Sequence, residues 1–266
     1  MLTDHSTESV ESVDAACGLD GLAVKPTECD VAAVDDLPVE TLIIDYEGRE
    51  SVPDRGVLDS LAETVSLRLT TPVRADGFDP LGDESLVETL PESVGRVLVA
   101  GHPAYLEEIE RRRAVAPRLG AAVRQCANPW VGTESVERIA LATGATQFEL
   151  LSGRTARAVQ ALRAAGFDGE VSVYAPTVVT DEADEVLDAV GAYVARRAPV
   201  ARAIPEGAAV DAEATGDVRE TLLEAATKYA LVGTESTVRE RTDDLRRAGV
   251  STVVGYPAAG LDTFFE

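Results

Sequence analysis

Histidine, cysteine, lysine and tryptophan are all scarce in this chain. Among 266 residues there are two histidines, His5 and His102, three cysteines, one methionine and one tryptophan. Cys17, Cys29 and Cys126 form no Cys-x-x-Cys pair, and no Cys/His cluster has zinc-ligand spacing. That argues against a disulfide framework and against a metal site, and it fits a reducing cytoplasm. Gly-x-Gly-x-x-Gly, P-loop and His-Glu-x-x-His motifs are missing as well. No apolar run approaches the roughly 20 residues a membrane span needs. The opening segment, MLTDHSTESVESVDAA, has neither the basic nor the apolar region of a signal peptide. A cytoplasmic protein without membrane contact is the expectation.

Positive charge is also short. Lys25 and Lys228 are the two lysines, and 24 basic side chains face 47 acidic ones, a formal net charge of −23. A field of that sign repels nucleic acid and anionic membranes, so neither is an expected partner. The acidic residues are spread over the helical stretches rather than gathered in a tail. This is the pattern of a halophilic, salt-adapted surface, where screening removes the self-repulsion.

Short apolar runs, in contrast, recur eight times. They are Gly21–Lys25, Thr41–Tyr46, Val65–Thr71, Arg96–His102, Ala121–Cys126, Gln147–Ser152, Glu170–Tyr174 and Ser251–Tyr256. Most are followed by a stretch of helical pattern, among them Val57–Thr64, Tyr105–Arg118, Thr155–Ala165, Asp181–Arg197, Val218–Tyr229 and Thr237–Ala248. Eight strand–helix units predict an α/β fold, a single-domain (β/α)8 TIM-type barrel over residues 18–266. Residues 1–17, rich in Ser, Thr, Asp and Glu, read as a disordered tail. The connection before the last run holds two helices and is the longest.

One pentapeptide occurs twice: Val131-Gly-Thr-Glu-Ser135 and Val232-Gly-Thr-Glu-Ser236. Each copy reads as a helix N-cap with an acidic residue in the first turn, or as an anion site at a helix start.

A barrel of this kind holds its chemistry at the carboxyl ends of its strands. The residues expected there are Lys25, Asp45, Tyr46, Glu47, Thr70, Thr71, His102, Gln125, Asn128, Ser152, Arg154, Tyr174 and Tyr256. His102 closes the run Val97-Leu-Val-Ala-Gly101 and can move protons near neutral pH. Asp45 and Glu47 are carboxylates suited to acid–base work or to binding a ring amide. Lys25 is an anion ligand, a Schiff-base amine or a charge partner of Asp45 and Glu47. Arg68 and Arg124 are expected to point into the barrel mouth or to pair with Glu149.

The stretches AVQALRAAGFDGEVSVYAPTVVTDEADEVLDAVGAYVARR and YALVGTESTVRERTDDLRRAGVSTVVGYP resemble the bacterial luciferase-like superfamily. That superfamily includes F420-dependent methylenetetrahydromethanopterin reductase and flavin-dependent monooxygenases. The likeness covers Thr155 to Pro257, the C-terminal part, and the chain is short for the family. It implies a (β/α)8 barrel, hydride chemistry on F420 or FMN, a small-molecule substrate and a homodimer. Under that resemblance His102, Asp45 and Glu47 are the catalytic candidates. Lys25, Thr70, Arg124, Asn128, Ser152, Tyr174, Gly233, Thr234 and Tyr256 are the cofactor-binding ones, with Gly233 and Thr234 near phosphate. Two other readings stand beside it: a lyase or aldolase barrel using Lys25 or a carboxylate, and a barrel without catalysis that serves as a binding protein.

Overall fold

Parallel strands buried on both faces are nearly continuous in apolar residues, and the strands of this chain have that composition. The computed structural model describes residues 17–34, 39–73, 90–100, 108, 112, 114–133 and 139–261. Its strands are β1 (Gly21–Val24), β2 (Thr41–Ile44), β3 (Ser66–Val73), β4 (Gly95–Ala100), β5 (Trp130–Thr133), β6 (Thr146–Leu150), β7 (Val171–Val178), β8 (Leu231–Val232) and β9 (Thr252–Pro257). The longer helices are α1 (Arg55–Thr64), α2 (Val115–Gln125), α3 (Thr155–Ala164), α4 (Ala183–Ala195), α5 (Gly216–Tyr229) and α6 (Glu235–Arg247).

Strands β1 to β6 lie side by side in chain order, β9 pairs with β1, and β7 joins β9 to β6. Every pairing is parallel. The eight strands β1–β7 and β9 therefore close into a barrel ringed by helices, a single-domain TIM barrel as the sequence predicts. β8 stands outside that count. β6 occupies the edge of β7 from Val171 to Tyr174, and β8 takes the same strand further on, at Thr177 and Val178.

Side chains alternate between two cores. Ala23, Ile43, Val97, Trp130, Phe148, Tyr174 and Val254 fill the barrel interior. Their neighbours Leu22, Leu42, Ile44, Leu67, Leu69, Val171 and Val253 face outward, in one cluster with Leu58 and Leu61 of α1, Val159 of α3 and Leu245 of α6. A period of two on each strand meets helical stripes, which closes the outer layer.

The seam between β1 and β9 is short, and polar groups reinforce it. Asp20 accepts from the Val253 N–H at 2.6 Å and from Arg246 at 2.8 Å. Arg163, at the end of α3, donates to the carbonyls of Gly249 (2.7 Å) and Phe167 (2.9 Å), tying together the turns that lead into β7 and β9.

Strand five departs from the sequence reading. Ala121–Cys126 is not a strand: Ala121 to Gln125 form the end of α2, and β5 begins at Trp130. Leu119 and Ala122 are buried against Leu98 and Val131, whereas Arg124 and Gln125 are exposed. That spacing of three is helical. Over so short a run, Ala-Ala-Val satisfies a strand pattern equally well. The total of eight survives because Trp130-Val-Gly-Thr133 supplies the missing strand. The expected helix Tyr105–Arg118 overlaps α2 only at its end, and 105–107, 109–111 and 113 lie outside the described residues. Gly132 and Thr133 are in β5 instead of opening a helix. The second copy of the pentapeptide behaves as read: Thr234 caps α6, its hydroxyl accepting from the Thr237 N–H. No helix among the described residues is long and apolar enough to cross a membrane.

Candidate functional site

The strand ends bring four distant side chains to one pole of the barrel. Lys25 follows β1, Asp45 follows β2, Tyr174 lies in β7 and Tyr256 in β9. Each continues the inward-facing register of its strand, after Ala23, Ile43, Ser172 and Val254.

Two hydrogen-bonded groups result. In the first, the Lys25 ammonium donates to Tyr256 Oη at 2.8 Å and to Glu28 Oε1 at 2.9 Å. The Tyr256 hydroxyl donates in turn to Glu28 Oε2. The ammonium also lies 4.2 Å from the centre of the Tyr256 ring. In the second group, Tyr174 Oη donates to Asp45 Oδ2 at 3.1 Å. The two tyrosine rings join the groups, stacked with centroids 6.2 Å apart and planes 12° from parallel. Below them Phe148 meets Tyr174 edge-on at 5.9 Å, and Trp130 lies 6.0 Å from Phe148. An aromatic column thus runs down the barrel axis and gives the pole a rigid, apolar floor.

That floor sets the charge states above it. Burial pushes the Asp45 carboxyl up to about 6, against the Tyr174 hydrogen bond and the charge of Lys25, which lower it. Burial also raises Tyr256, to about 12, and the hydrogen bond to Glu28 adds to this. Tyr174 is held well above the usual phenol range by burial and by Asp45. Burial lowers Lys25, but its bonds to Tyr256 and Glu28 outweigh that and leave the ammonium stabilised. Burial raises Glu28, and the bonds from Tyr256 and Lys25 overcome it, so this carboxylate stays charged.

Other predicted residues play supporting parts. Thr70 Oγ1 accepts from the Tyr46 N–H at 2.6 Å, fixing the end of β2 beside Asp45. Glu47 is exposed and accepts from the Thr27 N–H at 3.0 Å, so it staples the loops after β1 and β2. Ser152, just past β6, bonds Thr155 at 3.2 Å and receives the Arg154 N–H at 3.3 Å, which opens α3. Gly233 and Thr234 lie past β8 on the same pole. Thr234 Oγ1 is shared among the Thr237 N–H and the hydroxyls of Ser236 and Thr237.

Two predicted residues do not reach this pole. Arg124 is exposed on α2, and Asn128 precedes β5, at the amino-terminal end of the barrel. Both follow from the misplaced fifth strand. Arg68 does not face the mouth either: it lies over Trp130 near the opposite pole, its Cζ 4.3 Å from the ring centre. His102 lies outside the described residues. Glu28 went unforeseen. Its spacing of three from Lys25 is a local signal for a charge pair, but nothing in the sequence signals its bond to a tyrosine 228 positions away.

The fold is shared with solved structures. The F420-dependent tetrahydromethanopterin reductase of Methanopyrus kandleri superposes with a TM-score of 0.56 at 16% identity, over 92% of this chain and 94% of that one. An F420-dependent secondary alcohol dehydrogenase, solved with an F420–acetone adduct, gives 0.54 at 11% identity, over 93% and 96%. The monooxygenase RslO1 of Streptomyces bottropensis gives 0.53 at 17%, over 89% and 91%. At such identities the likeness is one of fold, spread over nearly the whole chain. No curated protein matches by sequence. A family model matches residues 14–264, and the chain therefore belongs to DUF7388, a family of unknown function.

Proposed function

We propose that the chain is a luciferase-like oxidoreductase that acts on a small organic substrate with F420 or FMN at the carboxyl pole of the barrel. The observation that carries this reading is Asp45. It is a carboxyl group raised to about 6, hydrogen-bonded to Tyr174 and set beside a fixed ammonium and phenol. A group with that value holds or releases a proton near neutral pH, which is what an acid–base partner of a redox step requires.

The residues present fit the ring of such a cofactor better than its tail. Lys25 and the neutral form of Asp45 are hydrogen-bond donors for a ring carbonyl, and the stacked tyrosines offer an apolar floor. Glu28 and Glu47 repel phosphate, so the tail belongs away from them, toward Gly233 and Thr234, where α6 begins. When bound, the cofactor supplies or accepts a hydride through its ring. Asp45 manages the proton, Tyr174 orients Asp45, and Lys25 supplies positive charge at the mouth. Ser152 and Thr70 hold the strand ends that carry these groups. His102, two residues past β4 in the chain, belongs to the same proposal.

The aldolase reading through Lys25 is disfavoured. A Schiff-base lysine must be a free amine near neutral pH, and the Lys25 ammonium is stabilised, not destabilised. A carboxylate-based lyase would use Asp45 as well.

The test is a visible-absorption titration in molar KCl, with F420 and FMN added separately to wild type and to Asp45→Asn. Micromolar binding of one cofactor, retained in Asp45→Asn with turnover cut at least tenfold, is the expected outcome. Absence of binding by both at millimolar concentration would remove the redox reading.

A further inference from the structure

At the amino-terminal pole, on the far side of the aromatic column, lies a cavity of about 400 Å³. Trp130 opens β5, Thr146 opens β6, Glu170 precedes β7, and Arg68 sits low in β3. All four line this cavity. Its size falls within the range of about 300–1,000 Å³ common for small-molecule pockets.

Arg68 is held there by three separate features. Its guanidinium stacks on Trp130. It packs across Gly95, where a Cβ would come within 2.9 Å of its Nη1. Among the described residues its one acceptor is the Asn128 carbonyl, at 3.3 Å. Asn128 has φ 46°, and it is the one non-glycine residue with positive φ among the described residues. Asparagine tolerates this left-handed backbone, and its carbonyl accepts from Arg68 here. Nε is buried without a partner among the described residues.

Glu170 lines the same cavity and, among the described residues, receives only a long bond, 3.4 Å, from Thr146 Oγ1. Arg68 and Glu170 line the same cavity without forming an ion pair. Burial lowers the Arg68 pKa and the charge of Glu170 raises it, but a guanidinium stays protonated throughout.

We propose that this pole is a second binding site, for an apolar amino acid. Arg68 takes the carboxylate, Glu170 takes the ammonium, and Val123, Pro129 and Ala145 wall the side chain. Two opposite charges that line one cavity without pairing with each other suit a ligand carrying both. The formal charge of −23 points the same way. It opposes entry of a plain anion and leaves a zwitterion of zero net charge nearly unaffected.

Trp130 is the single tryptophan of the chain and lines this cavity, so its emission reports binding there. The experiment titrates the full chain in molar KCl with L-leucine and the other apolar amino acids. 4-Methylpentanoate and 3-methylbutylamine serve as half-ligands that lack the ammonium or the carboxylate. A saturable emission change with an amino acid, at least tenfold tighter than either half-ligand, is expected. Glu170→Gln, at an exposed position, should weaken amino-acid binding at least tenfold and leave the 4-methylpentanoate response unchanged. Arg68→Gln should abolish both responses, and Asp45→Asn, at the other pole, neither. Lack of saturable change with any amino acid, an equal response to a half-ligand, or unchanged affinity in Glu170→Gln would each overturn the proposal. If Arg68→Gln fails to fold, Glu170→Gln still decides.

Discussion

Asp45 is where a single side chain couples the fold to acid–base chemistry. Its pKa in the folded chain, about 6, lies above the ordinary value of 3.8. The native state therefore binds the proton more tightly than the unfolded chain does. Stability from this group is fully present below about pH 4 and is lost as pH rises through 6. Asp45→Asn mimics the neutral acid and keeps an acceptor for Tyr174. Wild type and variant should be equally stable at pH 4. Above pH 6.5 the variant should be more stable, by about 1–3 kcal/mol. Denaturant melts at several pH values and one salt concentration give the comparison. Parallel curves would mean that burial does not shift this carboxyl.

The same residue shows what a linear sequence discloses. Lys25, Asp45, Tyr174 and Tyr256 were legible because each follows or ends an apolar run, and strand ends share a pole. Arg124 and Asn128 were not, because their position depended on one short strand. Arg68 was misjudged for a related reason. A strand's inward face runs from one pole to the other, and Arg68 lies near the start of β3, not at its exit.

At the scale of elements, periodicity carried most of the fold. The boundaries of α1, α3, α4, α5 and α6 fall within two residues of those read from the apolar pattern. α2 escaped because its closing run, Ala121-Ala-Val123, satisfies either period. Packing between elements leaves no such trace. Gly191, inside α4, shows this. A Cβ there would lie 1.8 Å from the Val210 carbonyl oxygen, so only glycine lets the segment before α5 approach the helix. Helix propensity alone would favour alanine by roughly 1 kcal/mol. The steric clash is with backbone and should win: Gly191→Ala is expected to cost about 2–3 kcal/mol. Ala192→Ser, at the exposed neighbour, should stay within roughly 0.5 kcal/mol. Urea melts of the two variants beside wild type decide it. A neutral or stabilising Gly191→Ala would mean that the 210 segment gives way at little cost.

For the whole molecule, charge decides the response to salt. The ion pairs on the surface, such as Arg55–Asp59, Lys228–Glu224 and Arg247–Asp244, are exposed and close in sequence. Each contributes at most about 1 kcal/mol, and salt weakens it. Self-repulsion from a net charge of −23 acts in the opposite direction and over the entire surface. Screening shortens from about 10 Å at 0.1 M to about 3 Å at 1 M, so the repulsion should relax more than the pairs lose. The melting temperature is expected to rise steadily between 0.1 and 2 M KCl. A fall across that range would show that the ion pairs outweigh the net charge.

β8 adds one more consequence at this scale. α4 and α5 pack around Leu187, Val194, Leu222 and Ala225, a core separate from that of the barrel. They reach the barrel through the short β8 and a small apolar patch that includes Val178 and Val232. Architecturally this is an attachment bolted to the rim of a finished chassis. Descendants of this chain can remodel the attachment, and with it the approach to the opening, without disturbing the ring of strands beneath.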